Sequence, residues 1–394
     1  MLNRIYNNDF TNVLRREVSR IIGSRTTWFL ILIGPLLSFF IVISIFREGV
    51  PADLPVAVVD EDNSATSRQL IRMIDATRIA SVSRCAVTLE EARESIFAGT
   101  VEAVFYIPAG MEAAVLRGEK SDVTLFVNNT NVVKGGLLQS GIYRAVNTLS
   151  TGVKMQTAMK GGAVQSQALE QVYPVRLDSR TLFNPFTNYA YFLATALMPL
   201  LIVVFTLLGA IYAIGLEIRN DTGKQWLNTA GDCMVTALAG KLVPYIFMML
   251  FSVSVMNYLL VRFMDFPFHG YWGALILGQI LLIVAYQMVG VVLLSLTGNT
   301  RLSLSLASAY SMMAFTFSGL TFPVIGMPLV ARFFAHLFPF YYWMDLFIGQ
   351  GLKNAPMVSS IAPLLGLLIF CLLGWMMTPR LKRVVLDDQY RYKI

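Results

Sequence analysis

The sequence predicts an all-α membrane domain of six helices with a soluble α/β domain inserted after the first. Three observations carry this prediction. Of 394 residues, 56% are hydrophobic and 14% charged, against about a quarter charged in a soluble globular chain. Uncharged runs recur along the chain, and several are as long as the about 20 helical residues that one crossing needs. The segment 47–185 breaks this pattern, because its charges are frequent and strand-like stretches alternate with helix-like ones.

Residues 1–25 form a basic leader. Ile5, Phe10, Val13, Leu14, Val18, Ile21 and Ile22 fall near helical spacing, with Arg15 and Arg16 between them. That pattern predicts an amphipathic helix lying on the inner leaflet, with Phe10, Leu14, Arg15, Arg16 and Val18 as its working residues.

The first crossing is expected over 26–46, between Arg25 and Arg47. Its apolar stretch is too long for a cleaved signal, and no small-x-small site follows it.

Within 47–185, the valine-rich Leu54–Asp60 reads as a strand. Asn63 or Ser64 then caps a helix over Arg68–Ala76. Thr88 is an N-cap, with Glu91 completing a capping box. The helix it starts, over 89–98, ends at Gly99. Val101–Ile107 and Val123–Asn128 read as further strands, and 133–170 as one or two long helices.

Residues 186–378 hold five further crossings. The second begins near Asn188, after the Asn184-Pro185 break, and runs to Leu216. The others lie between Lys241 and Arg262, between Asp265 and Arg301, from Leu302 to about Leu320, and between Lys353 and Arg380. Six crossings put both termini on one side. The leader and the tail 379–394 are both basic, so that side is the cytoplasm. The loop 217–236 then faces inward and 47–185 outward.

Prolines 323, 328 and 339 interrupt the region 320–350. Broken backbone at membrane depth survives only under protein or a water cavity. Re-entrant helices on the outer side are therefore expected, forming a gate with Pro323, Pro328, Pro339, Tyr341, Tyr342 and Trp343. The aromatics Phe338 to Trp343 suit an interface belt.

Several chemistries are excluded. A phosphate-binding loop needs Gly, four residues, then Gly-Lys-Ser/Thr. Gly223-Lys224 is followed by Gln225 and has Ile218 where the first glycine belongs, and Gly240-Lys241 is followed by Leu242. His269 and His336 lack metal-ligand spacing and a serine–acid partnership, so no metal site and no catalytic residue is expected. No nucleic-acid module is visible. Ionisable groups are nearly absent from the apolar runs, which argues against an ion-coupled carrier. Asn257, Gln279 and Gln287 could line a path, but interhelical hydrogen bonding is the preferred expectation.

The stretch 215–245 leaves the membrane at Glu217 and Arg219, breaks at Thr222-Gly223, and forms a short helix over Gln225–Asn228. It then loops into the third crossing at Gly240-Lys241. A compact helix–loop of mixed charge suits docking to another protein.

At these residues the chain resembles the ABC-2 type permeases of ABC exporters, in the subgroup with a large extracytoplasmic domain after the first span. PVAVVDEDNSATSRQL at 55–70, EAVFYIPAGM at 102–111 and NNT at 128–130 match the opening and strands of that insertion. Glu217, Gly223, Leu227 and Gly240-Lys241 match the loop after the second span. FSGLTFPVIGMP and LFPFYYWMDLF match the fifth span and re-entrant region. The family often has Gly-Thr-Glu in the loop, where this chain reads Thr222-Gly223-Lys224-Gln225.

The resemblance implies a permease of the bacterial inner membrane, paired with a second permease (itself or a paralogue). It implies no cofactor in this chain, with ATP and Mg bound by a separate ATP-binding subunit. That subunit would dock on the N-terminal helix and on Glu217, Arg219, Thr222, Gly223, Gln225, Trp226 and Leu227. A membrane-fusion protein and an outer-membrane channel are further partners of this setting. Apolar spans favour a drug, lipid or other amphipathic substrate. The alternative is a membrane-anchored receptor or attachment protein acting through its external domain, for which six spans are surplus.

Overall fold

The computed structural model describes residues 2–47, 49–160, 182–184 and 188–387, with side chains from Asp9 onward. The expected return of the insertion through 161–181, the Pro185 break and the tail beyond 387 lie outside the described residues. The chain divides into two compact units, Met1–Gly49 with Thr181–Ile394, and Val50–Arg180.

The first unit is helical. α1 is Leu2–Gly23. Five helices are long and apolar enough to cross a bilayer among the described residues. They are α2 (Arg25–Phe46), α7 (Tyr189–Arg219), α9 (Met234–Phe263), α10 (Trp272–Thr297) and the run Met357–Leu386. That last run comprises a 3₁₀ turn, α14 (Ile361–Met376) and α15 (Thr378–Leu386). The remaining helices are α8 (Gly223–Thr229), α11 (Thr300–Thr316), α12 (Leu329–Ala335) and α13 (Pro339–Gly351).

α11 stands where the fifth crossing was expected, but it has only 17 residues. At 1.5 Å per residue that is about 25 Å, short of a hydrocarbon core of about 30 Å.

α7 and α10 are the most enclosed of the long helices, whereas α2, α9 and α14 are peripheral. α2 leaves Phe29, Ile33, Leu37, Phe40 and Ile45 exposed, and α14 leaves Leu365, Ile369 and Leu372 exposed. Continuous exposed apolar faces of this kind need lipid or another apolar partner.

α2 contains a π turn at Phe29–Ile33, immediately before Gly34-Pro35. Pro35 has no N–H to give to the carbonyl four residues back. The structure supplies a substitute, because Ser252 Oγ of α9 donates to that Ile31 carbonyl at a long 3.4 Å. Gly34 is needed there too, since a Cβ would lie 2.6 Å from the Phe205 ring of α7. The polar residues behave as expected of interhelical glue. Asn257 of α9 and Gln279 of α10 exchange amide hydrogen bonds at 3.1 and 2.9 Å, and Gln287 Nε2 donates to the Leu242 carbonyl at 3.4 Å.

The three prolines of 320–350 start helical turns rather than interrupting them. Pro323 precedes a 3₁₀ turn, Pro328 caps α12, and Pro339 opens α13. At a first helical position the missing N–H would be unpaired anyway. The interface-belt expectation fails for Phe338, Phe340 and Trp343, which are buried in the helical core, while Tyr341 and Tyr342 are half-buried. Their chain neighbours on α12 show the opposite behaviour, with Leu329, Val330 and Phe333 exposed.

The second unit is an α/β sandwich with a four-stranded sheet in the order β2-β1-β3-β4. Its elements are β1 (Leu54–Asp60), α3 (Ala65–Asp75), β2 (Ala80–Ala86), α4 (Leu89–Phe97), β3 (Ala103–Ile107), α5 (Met111–Leu116), β4 (Thr124–Val127) and α6 (Val132–Lys160). β1 pairs in parallel with β2 and β3, and β3 antiparallel with β4.

Central β1 is buried on both faces. Val56 and Val58 meet Leu70 and Ile74 of α3 and Leu138 and Ile142 of α6. Ala57 and Val59 face Ala92 of α4. Of the two candidate caps, Ser64 caps α3, in a reciprocal box with Ser67. The expected box at Thr88 is one-sided. Thr88 Oγ1 accepts the Glu91 N–H, but the Glu91 carboxylate turns instead to the Val87 N–H at 3.0 Å and to Arg84 at 2.8 Å. The NNT motif ties β4 to β3: Asn128 N–H donates to the Glu102 carbonyl, and its side-chain amide to the Glu102 carboxylate.

Candidate functional site: a buried ion cluster beneath a short helix

The last turn of α7 carries Glu217, and the second turn of α9 carries Lys241. Both side chains are fully buried. Lys241 Nζ donates to Glu217 Oε1 at 2.8 Å and to Glu17 Oε2 of α1 at 2.6 Å. Glu17 is 2% exposed and also accepts from the Tyr245 hydroxyl at 2.8 Å. Arg16 forks onto both Glu217 oxygens at 2.9 and 3.0 Å. Arg20 and the Thr222 hydroxyl complete the shell of Glu217.

A buried carboxylate or ammonium is costly unless it is paired and hydrogen-bonded. Here each buried charge has at least two partners, so α1, α7 and α9 are held in one arrangement. The crossing of α1 and α9 is close: a Cβ on Gly240 would sit 2.8 Å from Val13 Cβ.

α8 lies over this cluster. Lys241 Nζ stands 5.0 Å from the Trp226 ring centroid, a cation–π contact between two buried side chains. Trp226 and Leu227 are core residues, packed with Leu381, Val384 and Val385 of α15. Gly223 has no room for a side chain, since a Cβ would be 2.5 Å from Val385 Cγ1 and 2.9 Å from its carbonyl oxygen. Lys382 Nζ donates to the Asp232 carbonyl at 2.6 Å. Asp221 and Asp232, both at positive φ, bracket the turns on either side of α8.

The structure brings several of the expected site residues together and leaves others apart. Glu217, Thr222, Gly223, Trp226 and Leu227 converge, but inward, as the foundation of α8. Arg219 and Gln225 are exposed, as are Lys224 and Asn228. On α1 the buried stripe is Val13, Glu17 and Ile21, with Glu17 in the ion cluster. Phe10 and Leu14 are half-buried, Arg15 and Val18 exposed, and Arg16 is engaged with Glu217. The loop expected to run to Gly240-Lys241 ends earlier, because α9 is already helical from Met234.

The tail is not merely basic. Through 386 it is a helix whose apolar side seats α8. Sequence reasoning missed Glu17 and α15, and took Lys241 as a span boundary and family match without its ion pairs. The available signal was a lysine eight residues inside a long apolar helix.

The gate residues do not converge into one site. Pro323, Pro328 and Pro339 begin separate turns. Tyr341 and Tyr342 pack around His336 at 4.8 and 6.0 Å. Trp343 packs on Phe347. No group of metal-ligating residues occurs among the described residues.

Long apolar helices closed at one end by a salt-bridged helix–turn assembly define a multi-pass membrane protein. The family model for ABC-2 family transporter proteins matches residues 25–378, and the chain belongs to that family. It is thus the membrane component of an ABC transporter, whose ATP-binding subunit is a separate partner. No curated protein and no solved structure matches the chain.

Proposed function

We propose that the chain is the permease of an ABC exporter and moves an amphipathic molecule, such as a drug or lipid, outward across the bacterial inner membrane. The ATPase would dock on the exposed ridge of Arg219, Lys224, Gln225 and Asn228, with Arg15 of α1 beside it. One observation carries this reading: α8 is tied through Trp226 and the preceding Thr222 to the ion cluster that joins α1, α7 and α9. A push on α8 is then a push on two long helices at once.

Basic ends support cytoplasmic termini, and the α/β unit would then lie outside. α11 would complete six crossings, and α12 with α13 would form the outer re-entrant pair. A second permease would cover the exposed apolar residues of α12, and a fusion protein could extend the path through an outer membrane.

The test is co-purification with the candidate ATPase. Wild type should form a complex and change the ATPase rate, and Arg219→Glu with Lys224→Glu should weaken both. No complex, with an ATPase rate indifferent to the permease, defeats the proposal. Thiol labelling that found position 225 outside, or position 90 inside, would reverse the topology.

A further inference from the structure

Among the described residues, the sheet face on which α6 packs is not fully covered. β4 sends Leu125 and Val127 toward the face that α6 covers, yet both remain only half-buried. A cleft of about 590 Å³ lies between β3–β4 and α6. That volume lies within the range of small-molecule sites, about 300–1,000 Å³.

The floor is apolar: Phe105 and its cross-strand partner Leu125, with Ile142 and Val146 from α6. The rim is polar: Asp122, Gln139 and Tyr143. Among the described residues none of these three side chains forms a hydrogen bond or ion pair, and Tyr143 is 65% exposed. Among the described lining residues, Asp122 is the only ionisable acid or base apart from the Tyr143 phenol.

We propose that this cleft binds amphipathic organic cations, as a ligand site separate from the helical unit. The hydrocarbon part would fill the floor, where apolar area leaves water. The cationic head would sit at the rim, opposite the Asp122 carboxylate and against the Tyr143 ring. An anionic amphiphile would meet the same carboxylate with the wrong sign. A neutral one would gain the floor alone.

The test uses the full chain in lipid nanodiscs without any ATPase, so its outcome is independent of the export reading. The probe is a trimethylammonium carrying a short alkyl chain that ends in an aryl azide, compared with the neutral alcohol of the same skeleton. Photolabelling should fall on peptides within 121–146, and the cation should bind more tightly than the alcohol there. Asp122→Asn should weaken the cation roughly fivefold and leave the alcohol unchanged. Tyr143→Leu should weaken the cation roughly threefold. Both residues are exposed, so neither variant threatens folding. Label confined to the long apolar helices, or equal cation affinity in wild type and Asp122→Asn, would overturn the proposal.

Discussion

Lys241→Met removes the one ammonium that Glu17 and Glu217 share. Glu217 keeps Arg16, Arg20 and the Thr222 hydroxyl. Glu17 keeps only the Tyr245 hydroxyl among its described partners, in a site 2% exposed. Removing one partner of a buried ion pair costs about 3–5 kcal/mol, because the remaining charge is left without compensation. The loss of the cation–π contact with Trp226 adds to it. The cost falls on the docked state of α1, since undocking returns Glu17 to water.

The assay is amide hydrogen exchange of the full chain. Exchange along α1 should accelerate roughly 150- to 4,000-fold, at a factor of ten for each 1.4 kcal/mol, up to the limit set by global unfolding. Lys241→Met with Glu17→Met should recover most of the protection, because replacing both charges by apolar groups is far milder than orphaning one. Unchanged α1 exchange in the single variant, or no recovery in the double, would refute the electrostatic account of how α1 is held.

Gly223→Ala pushes a methyl group into Val385, so α8 and α15 must separate, with a stability loss of about 1–3 kcal/mol by thermal unfolding and reduced stimulation of the partner ATPase. Asn257→Leu strands the Gln279 amide and should cost about 0.6 kcal/mol, with a ceiling near about 1.7 in a membrane setting. Adding Gln279→Leu should restore stability in the same unfolding assay. In the α/β unit, the Val87 N–H and then Arg84 hold the Glu91 carboxyl below its ordinary range. Its contribution to the α4 cap is therefore complete above the ordinary carboxylate pKa and disappears as pH falls through the lowered one. Exchange at the Val87 amide, corrected for its intrinsic pH dependence, should rise across that acidic window, and Glu91→Gln should abolish the dependence.

Local patterning carried a large part of the architecture. β1, the caps at Ser64 and Thr88, the stop at Gly99 and the start of α7 after Asn188 all depend on residues within one or two turns of each other. Short-range chemistry of that kind is written in the sequence. β2 was not legible, because ASVSRCA has little β-branched apolar character, and parallel pairing with β1 holds it as a strand. The prolines of 320–350 were legible as boundaries but not as starts, since an initiating proline and an interrupting one look alike until the helix is seen.

The sequence by itself determined that the chain needs lipid, where its long apolar helices lie, and that a soluble unit is set between the first and second of them. Uncharged length and alternating charge decide such matters without reference to distant residues. The tertiary structure alone decided which charges meet. Glu17 and Lys241 are 224 positions apart, and nothing in either neighbourhood names the other. Burial makes that pairing obligatory, since leaving either charge buried alone would be costly. The same packing turned Trp226 and Leu227 inward and left Arg219 at the end of α7 and Gln225 of α8 exposed.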